Sequence, residues 1–237
     1  MKPAVLLVTA WLLAGTATAA DNVATECVVL LHGLARTASS MRPVESYLQD
    51  RGFHVVNVDY PSTDFPVEEL ASQALPPALE QCGAAQPVHF VTHSMGGILV
   101  RYWLAEHEIA GLGRVVMLAP PNQGSELVDK LGEIPGFYKL NGPAGLQLGT
   151  GESSLPRQLP PVEFPLGVIT GDGSLNPFYS AIIPGDDDGK VSVESTKVDG
   201  MTDFLLVDNG HTFIMRDADV LAQIVYFIQY GRFEAGT

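Results

Sequence analysis

The sequence predicts an α/β fold with a mostly parallel central sheet and helices on both faces. Short runs rich in β-branched and apolar residues recur along the chain, and most are separated by segments of helical character. The runs are continuously apolar rather than alternating, which is typical of strands covered on both faces. They are Val28–Leu31, Phe53–Val58, Val88–Thr92, Val115–Ala119, Gly167–Thr170 and Phe204–Val207. The strand–helix alternation implies right-handed crossovers and an open sheet.

Four segments are predicted to be the helices that cover this sheet. They are Ser40–Asp50, Val67–Glu80, Ser94–Glu106 and Asp217–Tyr230. The second contains a Pro-Pro pair at residues 76–77, which is expected to interrupt it. In the last, apolar residues recur at helical spacing, namely Val220, Leu221, Ile224, Val225 and Ile228. This helix should therefore lay one face on the sheet.

Residues 120–165 depart from this alternation. The stretch is rich in Gly, Pro, Ser and Asn, and its one helical candidate is the short segment Leu127–Leu131. Long segments of this kind in a compact domain are usually functional, and α/β proteins bind ligands beyond the ends of their strands. We therefore expect an inserted cap or lid over the strand ends, with a functionless surface excursion as the alternative.

The first twenty residues have the pattern of an export signal. Lys2 is followed by an apolar run from Ala4 to Ala14 and by small residues that end in Ala17-Thr18-Ala19. The apolar run is shorter than the roughly 20 residues that span a bilayer. We expect residues 1–20 to be cleaved, leaving residues 21–237 as one domain that is periplasmic or secreted and not stably inserted in a membrane.

Charge and cysteine content narrow the possible partners and compartment. The chain has 27 acidic and 13 basic residues, a formal net charge of −14. Such a surface repels nucleic acids and anionic membranes, so neither is expected as a partner. Cys27 and Cys82 are its two cysteines, which in an oxidising compartment form one disulfide or remain two buried thiols. The disulfide is feasible because both residues are expected at the same end of the sheet.

The most informative segment is Val88–Gly97, which reads VHFVTHSMGG. It predicts a strand, a sharp turn at Ser94 and a buried helix. A serine at such a turn stands clear of the backbone, and small residues must flank it because strand and helix approach closely. The segment resembles the G-x-S-x-G nucleophile elbow of the α/β-hydrolase superfamily, in the form found in small bacterial lipases and esterases. Thr92 replaces the first glycine and requires more room at the turn.

The resemblance implies roles for several backbone and side-chain groups. Ser94 would be the nucleophile, and the N–H of Met95 would donate to the oxyanion. Upstream, the segment VVLLHGL at Val28–Leu34 resembles the family's strand that ends in His-Gly, which makes the N–H of Leu34 the second donor. Loss of one such donor typically lowers turnover by about 10²–10³. His32 is expected to order this loop rather than to transfer protons.

Chain order identifies the base. In this fold the nucleophile precedes the acid, which precedes the base, and the histidines after Ser94 are His107 and His211. His107 lies about three turns into the predicted helix and should point away from the turn. His211 follows the last predicted strand, where the family places its histidine, so His211 is the predicted base.

The acid is expected within Pro184–Ser195. Its acidic segment resembles the lipase-like D-G-x-V-x-x-x-S pattern, in which the Asp before the Gly is the triad acid, and this implies Asp188. Asp187 is the near alternative and Asp172 a more distant one. Three adjacent carboxylates also suggest calcium, but the segment lacks the ligand spacing of an EF-hand loop, so no metal is predicted.

Together the motifs predict a Ser-Asp-His hydrolase of carboxylic esters that forms an acyl-enzyme. The segment LAPPNQGS at 118–125 resembles a lipase loop that shapes the pocket mouth. A thioesterase or acyltransferase of the same fold is the alternative, and a non-catalytic binding module is a third possibility. The substrate would be a small-molecule or lipid ester, and no cofactor is expected. Oligomeric state is not indicated.

The apolar residues of the insert have two possible roles. They would form either an acyl-binding wall or the insert's own core: Leu127, Leu131, Ile134, Phe137, Tyr138 and Leu140.

Overall fold

A computed structural model of the chain describes residues 25–174 and 176–236. Its centre is a parallel sheet of six strands in the order β2-β1-β3-β4-β5-β6. The strands are β1 (Cys27–Leu31), β2 (His54–Val58), β3 (Val88–His93), β4 (Leu112–Leu118), β5 (Leu166–Gly171) and β6 (Asp203–Val207). Each predicted run forms one of these strands with its ends displaced by a few residues. The predicted α/β class is confirmed.

Helices cover both faces of this sheet. In the described part of the chain they are α1 (Arg42–Gln49), α2 (Val67–Cys82), α3 (Met95–Glu106), α4 (Glu126–Leu131), α5 (Phe137–Leu146), α6 (Leu155–Gln158), α7 (Pro177–Ser180), α8 (Val193–Thr196) and α9 (Ala218–Tyr230). Alternate residues of β1 point to opposite faces. Cys27, Val29 and Leu31 pack in the core beneath α2 and α3, whereas Val28 and Leu30 pack in the core beneath α1 and α9.

Helix α2 is continuous, so the expected interruption was wrong. Pro76 and Pro77 lie inside it. An apolar face of the same helix is buried throughout its length and includes Val67, Leu70 and Leu75. Burial of that face against the sheet outweighs the loss of two backbone hydrogen-bond donors.

The terminal helix α9 packs as its spacing predicted. Val220, Leu221, Ile224 and Ile228 are buried, and Val225 packs partly buried at the edge of the same core. The side chain of Asp217 caps the first turn by accepting hydrogen bonds from two backbone N–H groups.

The two cysteines form a disulfide. Cys27 at the start of β1 and Cys82 at the end of α2 are joined, with their Cα atoms 5.7 Å apart. Of the two alternatives left by the sequence, the structure has the bridge. It lies at the amino end of β1, away from the turn at Ser94.

The insert at residues 120–165 contains more helix than expected. In addition to α4, which matches the predicted Leu127–Leu131, the structure has α5 and α6. Helix α5 bends at Gly142, whose φ of 64° lies in the left-handed region. A Cβ atom at Gly142 would lie 1.7 Å from the carbonyl oxygen of Thr63, so only glycine permits this contact. Helix α5 was not predicted because its sequence lacks apolar periodicity and because the helix bends.

A buried arginine ties the two ends of the insert to α3. Arg101 donates to the carbonyl oxygen of Asn122 at 2.9 Å and to those of Leu159 and Pro160 at 3.4 and 3.3 Å. Burial lowers its pKa to about 10, which leaves the side chain charged at neutral pH. Asn122 in turn donates to the carbonyl oxygen of Thr196 at 2.8 Å. The insert is therefore fastened to the sheet domain where it leaves and rejoins it.

The strand order creates a switch point between β1 and β3. From β1 the chain passes to β2 on one side and then crosses to β3 on the other. Ligands of open α/β sheets bind beyond the carboxyl ends of the strands at such a point. No helix within residues 25–174 or 176–236 is long and apolar enough to cross a membrane. The predicted export signal lies outside the described residues.

Candidate active site

Ser94 occupies a strained turn between β3 and α3. Its φ of 53° and ψ of −125° lie where side chains other than glycine are rarely found. Its N–H donates to the carbonyl oxygen of Leu118 at 2.8 Å, which holds the turn. At Gly96 a Cβ atom would lie 2.6 Å from the carbonyl oxygen of Leu31, so glycine lets α3 approach β1. The turn leaves the Ser94 side chain partly accessible among buried neighbours.

Thr92 fits this turn without backbone strain. It lies in β3 and is not among the residues with positive φ. Its side chain is fully buried, and the hydroxyl has no hydrogen-bond partner in the described part of the chain. The glycine of the family motif is thus not required here by backbone conformation, although the threonine hydroxyl is buried at a cost.

Ser94, His211 and Asp188 form a chain of hydrogen bonds. The Nε2 atom of His211 lies 3.1 Å from Ser94 Oγ, and its Nδ1 atom lies 2.7 Å from Asp188 Oδ2. A carboxylate can only accept, so Nδ1 carries the proton and Nε2 is free to accept from the serine hydroxyl. Asp188 and His211 are 3% and 5% exposed. The arrangement can remove a proton from Ser94 and stabilise the resulting imidazolium.

Backbone amides orient the Asp188 carboxylate. Its Oδ1 atom accepts from the N–H groups of Lys190 and Val191 at 2.9 and 2.8 Å. In addition, the N–H of His211 donates to the backbone carbonyl oxygen of Asp188 at 2.8 Å. These bonds aim the second carboxylate oxygen at the imidazole.

The two alternative acids are placed elsewhere. Asp187 Oδ1 accepts from the N–H of Gly189 at 2.7 Å and from the hydroxyl of Ser180 at 3.0 Å. This carboxylate therefore stabilises the turn that carries Asp188. Asp172 follows β5, and within the described ranges its side chain makes no hydrogen bond or ion pair. Of the three candidates, Asp188 is the one bonded to His211.

His93 holds the loop that carries His211 through a hydrogen bond to its backbone. It is fully buried, and its Nε2–H donates to the backbone carbonyl oxygen of His211 at 2.9 Å. The two rings are 4.9 Å apart. Burial, and then the neighbouring His211, keep the pKa of His93 well below its ordinary value, so its ring is neutral. No role for His93 was predicted from the sequence, although it directly precedes Ser94.

His32 orders the loop after β1. Its Nδ1–H donates to the carbonyl oxygen of Gly33 at 2.9 Å, and its Nε2 accepts from the N–H of Tyr60 at 3.3 Å. The rings of His32 and Tyr60 stack with centroids 4.0 Å apart, and the Tyr60 hydroxyl donates to the His32 carbonyl oxygen. Burial lowers the pKa of His32, which keeps it neutral. Both ring nitrogens are thus engaged in holding the loop.

This loop lies directly against Ser94. A Cβ atom on Gly33 would be 3.0 Å from the Cβ atom of Ser94, so the next residue, Leu34, is brought beside the turn. In the part of the chain that the structure describes, neither the N–H of Leu34 nor that of Met95 donates a hydrogen bond. Met95 also begins α3, whose dipole favours negative charge at this point.

A cavity of about 410 Å³ opens onto Ser94 and His211. Apolar residues of the insert form one wall: Leu127, Val128, Leu131, Ile134, Phe137, Leu140 and Leu148. Of the residues considered from the sequence, only Tyr138 does not line it and is instead 59% exposed. Pro121 and Ser125, from the segment expected to shape the pocket mouth, also contact the cavity. Within residues 25–174 and 176–236, no cluster of side chains could hold a metal ion.

Comparison with known proteins provides independent information. The model of a family described as "Alpha/beta hydrolase family" matches residues 28–187, which is more than half of the chain. No curated protein sequence matches the chain significantly.

Solved structures with the same fold include lipolytic enzymes. The mature lipase BlEst2 of Bacillus licheniformis is 19% identical, with a TM-score of 0.66, covering 89% of this chain and 93% of the lipase. Phospholipase PlaB of Legionella pneumophila is 17% identical, with a TM-score of 0.66, covering 87% of this chain and 59% of PlaB. The metagenomic carboxyl esterase MGS0156 is 18% identical, with a TM-score of 0.60, covering 80% and 65%. At these identities the likeness establishes the fold.

Proposed function

Since the chain belongs to the alpha/beta hydrolase family, we propose that it is a serine hydrolase of carboxylic esters. Ser94 is the nucleophile, His211 the general base and Asp188 the acid that orients His211. The observation that carries this proposal is the unbroken path of hydrogen bonds from Asp188 through His211 to Ser94. That path ends at the mouth of a cavity large enough for a small acyl group or part of a lipid.

The catalytic cycle follows from the protonation state. His211 Nε2 takes the proton of Ser94 as Oγ attacks the acyl carbonyl, and Asp188 stabilises the imidazolium. The N–H groups of Leu34 and Met95 receive the developing oxyanion, a contribution of about 10²–10³ in turnover for each donor. His211 then returns the proton to the leaving alcohol. Water hydrolyses the acyl-enzyme by the same steps.

The apolar wall supports an ester with a hydrocarbon chain. The side chains contributed by α4 and α5 face the cavity rather than only one another, and they offer apolar surface to an acyl group. In this proposal the insert is a cap that completes the substrate site. The comparison structures are those of proteins named as a lipase, a phospholipase and a carboxyl esterase. These names agree with a substrate that is an ester with a hydrocarbon chain.

Export of the protein is part of the proposal. Disulfides persist in oxidising compartments, so the Cys27–Cys82 bridge supports a periplasmic or secreted location. Expression of the full chain in a bacterial host, with mass spectrometry of the exported product, should show that residues 1–20 have been removed. A product that retains Met1 in the cytoplasmic fraction would contradict export.

Ester hydrolysis is tested with a panel of substrates and a Ser94→Ala variant. Neutral acyl esters and thioesters of increasing chain length are compared, and Ser94→Ala is expected to lower turnover by on the order of 10⁶. Thioester turnover well above that of matched esters would replace the ester assignment with a thioesterase. Transfer to an added alcohol in preference to water would indicate an acyltransferase.

Covalent labelling separates an enzyme from a binding module. A fluorophosphonate probe should label the wild type and the Ser72→Ala control, whose exposed serine lies on α2, but not Ser94→Ala. A folded wild-type protein that takes up no label and hydrolyses no ester would refute the enzymatic proposal.

A further inference from the structure

The cavity beside Ser94 is cationic in a strongly acidic protein. The chain has 27 acidic and 13 basic residues, yet the described residues that line this cavity include Arg36 and Lys190 and no Asp or Glu. By contrast, a second cavity of about 500 Å³ contains Glu68 and Asp129. The sign of charge therefore reverses locally where substrate would bind.

Arg36 and Lys190 line the cavity from separate loops. Arg36 is two residues beyond Leu34, in the loop after β1. Lys190 is two residues beyond Asp188, and its backbone is held on both sides. Its N–H donates to Asp188 Oδ1 at 2.9 Å, and its carbonyl oxygen accepts from the hydroxyl of Ser125 at 2.8 Å. The start of the Lys190 side chain is thus fixed at the cavity rim.

Neither cation is neutralised by a bonded carboxylate. Within residues 25–174 and 176–236, the side chains of Arg36 and Lys190 have no ion pair or hydrogen bond. Asp188 is the nearby anion that favours the charge on Lys190, but its oxygens already accept from His211 and from two backbone N–H groups. The cations consequently keep their hydrogen-bond donors free.

The charges act on one another and on the residue before Ser94. Loss of hydration by burial lowers the pKa of Lys190, and the positive charge of Arg36 lowers it further. Both cations also contribute to the lowered pKa of His93, after burial and His211. Two positive charges that line one cavity favour the binding of an anion there.

We propose that Arg36 and Lys190 form an anion-binding subsite of this cavity, so that the preferred ester carries an ionised phosphate or carboxylate group as well as an acyl chain. The apolar wall from the insert takes the chain, and the loops that bear the two cations take the anionic group. The position of the ester bond at Ser94 rests on the proposed function, whereas the preference for anions does not.

Binding measurements test the subsite without catalysis. Octyl phosphate, octanoate and neutral 1-O-octylglycerol are titrated by calorimetry into the disulfide-bonded Ser94→Ala protein, below their micelle-forming concentrations. We expect at least one anionic ligand to bind about tenfold more tightly than the neutral ether, and added salt to reduce the difference. Comparison of the phosphate and the carboxylate identifies which anion the subsite prefers.

Variants locate the effect at the two cations. On the Ser94→Ala background, Arg36→Gln with Lys190→Gln should abolish the preference while leaving affinity for the neutral ether within about twofold. Lys139→Gln is the matched control, because Lys139 is exposed on α5 and does not line the cavity. Equal affinity for all three ligands in the Ser94→Ala protein, or equal loss in the control, would refute the subsite.

Kinetics show whether the subsite serves the substrate. In the otherwise wild-type chain, octanoylglycerol 3-phosphate or a hemiester of a dicarboxylic acid should have a higher kcat/KM than its neutral counterpart. The paired substitution should remove that advantage mainly through KM. If kcat falls equally on neutral and anionic esters, the cations act on the chemical step and the proposal is wrong. Absence of any hydrolysis would overturn the proposed function, while the titrations would still decide the subsite.

Discussion

Replacement of Asp188 by asparagine is predicted to disable His211 through its tautomer. Asp188 Oδ1 accepts from two backbone N–H groups, at 2.9 and 2.8 Å. An asparagine must keep its carbonyl oxygen at that position, so its NH₂ group replaces Oδ2 and faces His211 Nδ1 across 2.7 Å. Nδ1 then has to accept, which moves the proton to Nε2. With Nε2 protonated, His211 cannot take the proton of Ser94.

The expected loss is large because the geometry stays intact while the base is lost. A wrong tautomer at such a histidine lowers turnover by about 10⁴, or about 5 kcal/mol in activation free energy. The loss is measured as the ratio of wild-type to Asp188→Asn kcat on a neutral nitrophenyl ester. Thermal unfolding followed by circular dichroism verifies that the variant is folded.

Asp187→Asn is the matched control for this experiment. The Asp187 carboxylate accepts from the N–H of Gly189 and the hydroxyl of Ser180, and an amide oxygen can accept both. We expect kcat to fall by less than about tenfold. Asp188 does not set the tautomer of His211 if folded Asp188→Asn keeps more than about a tenth of wild-type kcat, or if Asp187→Asn lowers kcat more.

Three further predictions concern stability. Gly96→Ala would place a Cβ atom 2.6 and 2.9 Å from two backbone oxygens, and should lower the free energy of unfolding by about 1–3 kcal/mol in urea titrations. Gly151→Ala is the control, because a Cβ atom there meets no atom within 4 Å. Equal losses of unfolding free energy in the two variants would contradict the steric explanation. Because the pKa of His93 is lowered in the folded protein, only the unfolded chain binds its proton below about pH 6.5. The free energy of unfolding should therefore fall as the pH drops from 7 to 5, and His93 contributes up to about 1.4 kcal/mol per pH unit to this fall. In His93→Gln the fall should be less steep. Parallel slopes in the two proteins would argue against a contribution from His93. Replacing Cys27 and Cys82 together by alanine opens a loop spanning 55 positions and should cost about 4 kcal/mol on the chain-entropy model; an unchanged unfolding midpoint would exclude that contribution.

Patterns local in the chain were sufficient to predict the architecture. Apolar runs of five to seven residues identified the six strands of the described sheet. Burial on both faces explains the continuous runs of β1, β3 and β5, whereas the edge strands β2 and β6 are only partly buried. The segment Val88–Gly97 likewise predicted the turn at Ser94, since close approach of strand and helix restricts the residues that can follow it. Local patterns failed where packing overrode them, as in α2 with its two prolines and in α5 with its bend at Gly142.

Contacts between distant segments were decided only in three dimensions. His211 and Ser94 are 117 positions apart. The acidic segment implied Asp188 only through its resemblance to the lipase-like pattern, and Asp187 stayed an alternative. The amides of Lys190 and Val191 make that choice by turning Asp188 toward His211. The disulfide and the placement of Arg36 and Lys190 on one cavity arise in the same way. A sequence expresses the propensities of neighbouring residues, whereas the direction of a side chain depends on hydrogen bonds and packing that exist only after the sheet has assembled.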